Sequence, residues 1–160
     1  MKVALASDHA GFELKQKLVD FVRGLGHEVT DLGTHSTTPC DYPDFAEKIA
    51  AEVVTGRAER GILLCGSVIG ARVAANKIPG IRAGNCVDYY SSHQGVEHDA
   101  MNVLVLGGRV VGIALAQDMV RAFLGARYTN EDRHARRLAK VQSIEARYSS
   151  GAASATATTS

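Results

Sequence analysis

The chain has 160 residues, enough for one domain to bury a conventional core without disulfide or metal staples. Its 18 basic and 17 acidic side chains give a formal charge of +1, which argues against a polyanion-binding surface, a membrane patch or an acidic tail. No run, the opening MKVALASDHAG included, approaches the roughly 20 apolar residues of a membrane span, so a cytoplasmic protein is expected.

In chain order, a short apolar strand is expected at 2–7 (KVALAS), followed by a helix at 12–25 with a broad stripe of Phe12, Leu14, Leu18, Phe21, Val22 and Leu25. Strands then recur at 27–32, 61–65, 81–86 and 102–107, separated by helices at about 43–55, 69–77, 88–97 and 112–124. The cores of three strands, 3–6, 62–64 and 103–106, are almost continuously apolar, as parallel strands covered on both faces should be. This alternation predicts a single-domain, doubly wound α/β fold with a five-stranded parallel sheet. A last helix at 131–147 carries a narrow stripe of Leu138, Val141 and Ile144, with Arg133, His134, Arg136 and Arg137 crowded near its start. The domain is taken as 1–148, and 149–160, ending SSGAASATATTS from Ser149, as a disordered low-complexity tail.

Ligands of such sheets bind beyond the carboxyl ends of the strands, so the residues there are the informative ones. The first strand ends in SDHAG, where Asp8 is a ready helix cap and His9 follows it. The third ends in Cys65, with Gly66, Ser67 and Gly70 in the turn that opens the next helix; backbone N–H groups there favour an anion such as a thiolate. Three widely spaced cysteines, Cys40, Cys65 and Cys86, fit reduced thiols better than a disulfide framework or a CxxC metal site. A dinucleotide fingerprint fails, because Val68 stands where its second glycine should be, and no G-K-[ST] exists. A tyrosine-phosphatase loop fails too, since six residues rather than five separate Cys65 from Arg72. His93 and His98 are five apart, unlike the i, i+4 pair of a zinc helix. His98 reads as a general acid or base at a site mouth and His93 as a surface residue. Arg109 follows the fifth strand, and Arg133 and Arg137 stand i, i+4 on one helix face, where they could grip one anion or form a solvated basic face.

Together, SDHAG, DYPDFA, GILLCGS, AANKIPGIRA, NVLVLGGRVVG and RHARR resemble the type B ribose-5-phosphate isomerase family, which also contains galactose-6-phosphate isomerase subunits, in order from residue 1 to about 147. The resemblance implies a Rossmann-like or flavodoxin-like sheet and a homodimer or homotetramer with its active site between subunits. It further implies aldose–ketose isomerisation of a small phosphosugar with no metal or nucleotide cofactor, nucleic acid being already argued against by the near-neutral charge. It makes Cys65 the base that carries a proton between C1 and C2, with Ser67 assisting and the amides from Gly66 to Gly70 forming an anion hole. Asp8 and His98 would serve ring opening, and Asp41 and Tyr42 would wall the pocket. His9, Arg109, Arg133 and Arg137 would surround the phosphate, with Asn76 and Asp99 among the substrate-binding positions. Two residues depart from the family pattern. Val68 replaces a usual glycine and is poorly suited to positive φ, and Ala100 replaces a usual polar residue. Isomerisation of a four- or six-carbon phosphosugar, or mere binding of a sugar phosphate, are the alternatives.

Overall fold

The computed structural model describes residues 1–149. Strands β1 (Lys2–Ser7), β2 (Glu28–Asp31), β3 (Arg60–Cys65), β4 (Ala83–Asn85) and β5 (Val103–Gly107) form one sheet in the order β2-β1-β3-β5-β4. All its pairings are parallel. The helices are α1 (Phe12–Gly24), α2 (Tyr42–Val54), α3 (Ile69–Ala75), α4 (Tyr89–Asp99), α5 (Ile113–Gly125) and α6 (Asp132–Ser149). The expected α/β architecture is the observed one. Ser149, assigned from sequence to the tail, ends α6, and the rest of the tail lies outside the described residues.

Alternation along the strands splits the core into two layers, because successive side chains of a strand leave opposite faces. Val3, Leu5, Ile62, Leu64, Leu104 and Leu106 pack with Leu18 and Val22 of α1 and Met119 and Phe123 of α5. On the other face Ala4, Ala6, Leu63, Cys65, Val103 and Val105 meet Phe45 and Ile49 of α2 and Ala71 and Ala75 of α3. Cys65 thus points toward the α2 and α3 side. The chain leaves β1 for β2 on one flank and returns to β3 on the other, so the switch point of the sheet lies between β1 and β3.

Three polar anchors were not legible as such. Lys15 on α1 is fully buried and ion-paired to Asp31 at the end of β2, whose Oδ1 also accepts the Gly33 N–H at 3.0 Å. Arg60 donates to the carbonyls of Phe123 and Ala126, capping α5, and burial with the nearby Arg127 charge pulls its pKa down to about 10. Strand β4 spans three residues rather than the six expected, and side-chain amides bond the backbone at its start. Asn76 accepts the Ala83 N–H at 2.8 Å and donates to the Ala83 carbonyl at 2.9 Å, while Asn102 accepts the Arg82 N–H at 2.8 Å. The Asn76 pair satisfies Ala83 on the free edge of the sheet in place of another strand. Among the described residues no helix is long and apolar enough to cross a membrane.

Candidate active site

At the switch point, backbone hydrogen bonds lock three strand ends into one floor. The Asp8 N–H donates to Leu64 O at 3.1 Å, the Gly108 N–H to Cys65 O at 2.7 Å and the Arg109 N–H to Gly66 O at 3.1 Å. Asp8 is buried, and its Oδ1 accepts the amides of Ala10 at 2.9 Å and Gly11 at 3.0 Å, which closes the turn leading into α1; the N-cap position itself falls to Gly11, without a side-chain bond, rather than to Asp8. Gly11 permits α1 to start this close to β3, since a Cβ there would lie 2.7 Å from the Leu64 Cβ. The His9 ring is held at Nδ1, which lies 3.2 Å from both the N and the O of Cys40.

Above this floor is a cavity of about 270 Å³ lined by Asp8, His9, Ala10, Tyr42, Cys65, Gly66, Ser67, Gly70, Arg109 and Val110. That is the scale of a small metabolite rather than a dinucleotide. Tyr42 at the start of α2 lies flat on Gly70, where an added Cβ would come within 2.5 Å of its ring. Any side chain at residue 70 would evict the tyrosine from the cavity wall. Cys65 is buried and unpaired, and its Sγ accepts the Val68 N–H at 3.2 Å.

That last contact depends on an unusual backbone. Val68 has φ 77° and ψ −31°, the left-handed side where a β-branched residue is strained. The half-buried Val68 side chain packs against the α2 and α3 core layer, which helps to hold the turn. Sequence reasoning expected valine to be ill suited to this position, and the chain adopts the glycine-like conformation nonetheless. The amide so directed meets sulfur, not the open cavity.

The remaining candidates lie elsewhere. Asp41 precedes α2 and is exposed, next to the cavity-lining Tyr42. Asn76 and Asp99 line a separate groove of about 680 Å³ between α3, β4, α4 and α6, and the Asn76 amide is committed to Ala83. His98 on α4 faces α6, its Nδ1 2.8 Å from the Gln94 amide nitrogen and its ring stacked on that of His134 at 3.9 Å between centroids. Arg133 and Arg137 are exposed on α6, Arg133 donating to Glu131 at 3.0 Å. His93, expected at the surface, is partly exposed and paired with Glu97 at 3.3 Å. Within one chain the structure therefore brings together Asp8, His9, Tyr42, Cys65, Gly66, Ser67, Gly70 and Arg109, and sets His98, Arg133 and Arg137 apart from them. Val110, an exposed apolar wall of the cavity, carried no signal in the sequence. Among the described residues no group of three or more His, Cys, Asp or Glu side chains could hold a metal ion.

The family model for ribose/galactose isomerases matches residues 3–141. This chain belongs to that family. Ribose-5-phosphate isomerase B of Escherichia coli is 43% identical over 146 residues, covering 91% of this chain and 97% of that protein. The ribose-5-phosphate isomerase B structure from Clostridium thermocellum superposes with a TM-score of 0.90 at 45% identity, covering 92% of this chain and 99% of that one. The Mycoplasma genitalium enzyme, solved with bound ribulose 5-phosphate, superposes with a TM-score of 0.84 at 34% identity over 91% of this chain and 96% of its own. The six quoted motifs thus pointed to the right family, and the fold class they implied is the one observed.

Proposed function

We propose that this chain interconverts ribose 5-phosphate and ribulose 5-phosphate through an enediolate, with Cys65 as the base. The observation that carries the reading is the Cys65 thiol, set in a small cavity at the switch point with an amide on its sulfur, in a chain whose relatives are ribose-5-phosphate isomerases B. As thiolate, Cys65 takes the C2 proton of the open-chain aldose. The bonding pair forms the C1–C2 double bond and negative charge collects on O1. The Cys65 thiol, whose proton exchanges with solvent during the enediolate's lifetime, returns a proton to C1 as a proton moves from O2 to O1. The Val68 N–H stabilises the thiolate, while the neighbouring amides of Gly66 to Gly70 and the Ser67 hydroxyl serve the developing oxyanion. His9 and Arg109 receive the phosphate, Tyr42 and Asp41 wall the sugar, and Asp8 assists ring opening. Every step uses protein groups alone.

His98, Arg133 and Arg137 complete this chemistry only if they come from a second copy of the chain, and a homodimer is the simplest assembly that supplies them. Ile69 and Val73 on α3, beside the Cys65 turn, expose 59% and 54% of their surface, more than a monomer gains by exposing on one short helix. Residues 1–148 act as one sugar-phosphate isomerase domain. Its three unpaired thiols suit the reducing cytoplasm.

The test is a panel of four-, five- and six-carbon phosphosugars assayed in deuterated water. Deuterium at C2 of ribose 5-phosphate, made from ribulose 5-phosphate at a rate that exceeds turnover of the other sugars, is the expected result. Preference for another chain length overturns the substrate, and binding without exchange overturns the isomerase.

A further inference from the structure

His134 has no part in the reaction as set out above, yet it is the most constrained polar side chain near His98. It is 1% exposed, on α6 between Arg133 and Arg137, and its ring stacks on His98 with planes 27° apart. The Thr129 hydroxyl has one proton, which it donates to the Glu97 carbonyl at 3.1 Å. Its oxygen is left to accept from the His134 Nδ1–H at 3.0 Å, so in the neutral ring Nε2 is bare. That buried Nε2 has no hydrogen-bond partner among the described residues. Burial first, then the neighbouring His98, pushes His134 toward the neutral form. Glu131 pulls the other way, and Arg133 and Arg137 add to the downward push.

The consequence falls on His98. The Gln94 amide donates to its Nδ1, which puts the proton of the neutral ring on Nε2, the nitrogen left for substrate. The His134 ring covers one face of His98, so the imidazole cannot swing about its own side-chain bonds without breaking the stack. Because the Thr129 N–H also donates to Glu97 O at 3.1 Å, the platform is tied to the helix that carries His98.

We propose that His134 is a positioning residue: its ring is the platform that fixes the plane of the His98 imidazole and registers it against Arg133 and Arg137 on the same helix as His134. The inference rests on His98 acting in ring opening. That step moves a proton from the C1 hydroxyl to the ring oxygen O4 as the C1–O4 bond breaks and the C1 carbonyl forms. It is required for ribose 5-phosphate, which is a furanose. Ribulose 5-phosphate needs no such step, since its O5 is esterified and cannot close a five-membered ring on C2.

Forward turnover, which needs ring opening, and C1 exchange into ribulose 5-phosphate, which does not, therefore separate positioning from general damage. In the full-length protein, His134→Ala is expected to lower kcat/KM for ribose 5-phosphate by about 10–100-fold, as a misplaced acid–base group does. Solvent deuterium exchange at C1 of ribulose 5-phosphate should stay within about threefold of the unsubstituted protein. His134→Phe keeps an aromatic platform without ring nitrogens and should recover most of the forward rate. Equal losses of forward turnover and of C1 exchange in both variants, or unchanged forward turnover in His134→Ala, overturns the proposal. Absence of exchange in the unsubstituted protein overturns the Cys65 reading instead.

Discussion

The two halves of the candidate site are built in opposite ways. The Cys65 half grows from the ends of β1, β3 and β5, where neighbouring backbone hydrogen bonds and a buried double-layered core hold the strand ends and the Cys65 thiol. The half that carries His98, Arg133 and Arg137 stands on α4 and α6; two of its three side chains are exposed, and α6 buries little beyond His134. A sheet can aim groups at a point within its own chain, but a helix that buries one side chain has its apolar Val141 and Ile144 left for something else. On the proposed reading, the proton transfer between C1 and C2 draws on one chain, while ring opening and phosphate recognition draw also on a second.

The sharpest way to break that comparison is to remove the base. Cys65→Ala should cut isomerisation by at least about 10²–10⁴-fold while ligand binding and the folded state persist, because only proton transfer is lost. Cys65→Ser should be nearly as damaging, since a hydroxyl is far less acidic than a thiol. Near-normal kcat in either variant, read by coupled assay, would place the base elsewhere.

Next in size is the phosphate contact. Arg137→Ala should cost about 1.5–3 kcal/mol of phosphate binding, seen as a raised KM for the phosphosugar with little change in the weak turnover of the free sugar. Mixing Cys65→Ala with Arg137→Ala subunits should then restore activity, because a heterodimer holds one site with both residues intact. Verified subunit exchange without recovery would mean that each site is contained in a single chain.

How much of this was readable in advance follows the same division. Cys65, Asp8 and Arg109 were legible because continuous apolar runs mark parallel strands, and parallel strands place function at their carboxyl ends. Asn76 was readable as part of a motif but not in its role, since the pairing of its amide with Ala83 depends on where α3 meets the sheet edge. That turn amides would favour a thiolate was legible, but that Val68 would be the donor was not, because backbone direction at one residue carries no compositional signal. The His98–His134 stack joins two helices 36 positions apart, a tertiary contact that no periodicity encodes.

Val68 tests the first half from inside. From sequence, a glycine there would be expected to raise kcat by freeing the turn for the enediolate. The structure already holds φ at 77° with valine, so Val68→Gly should preserve the turn and change kcat by no more than about twofold. Relief of backbone strain and loss of the valine packing, each about 1 kcal/mol, should nearly cancel in stability. A large rise in kcat would show that the valine side chain, rather than the backbone, limits the oxyanion contact.

The smallest effect is expected at Ala100, the other departure from the family pattern, which lies two residues beyond His98 at the end of α4. Its φ of 51° and ψ of 41° are left-handed, a conformation that costs a residue with a Cβ about 1 kcal/mol. The turn is held from outside, since the Arg82 Nε donates to the Ala100 carbonyl at 2.7 Å and the Ala100 N–H donates to Val96 O at 3.1 Å. Ala100→Gly removes the steric cost but adds freedom to the unfolded chain, so the net gain should be about 0.5 kcal/mol, a rise in Tm of 1–2 °C or so. Thermal unfolding measures the gain, and kcat/KM on ribose 5-phosphate supplies the comparison. If the anchors define where α4 ends, activity stays unchanged as stability rises. If glycine loosens the helix end, His98 loses its alignment and forward turnover falls while exchange into ribulose 5-phosphate does not, which would move the weak point of the α4 half from the histidine stack to the backbone beneath it.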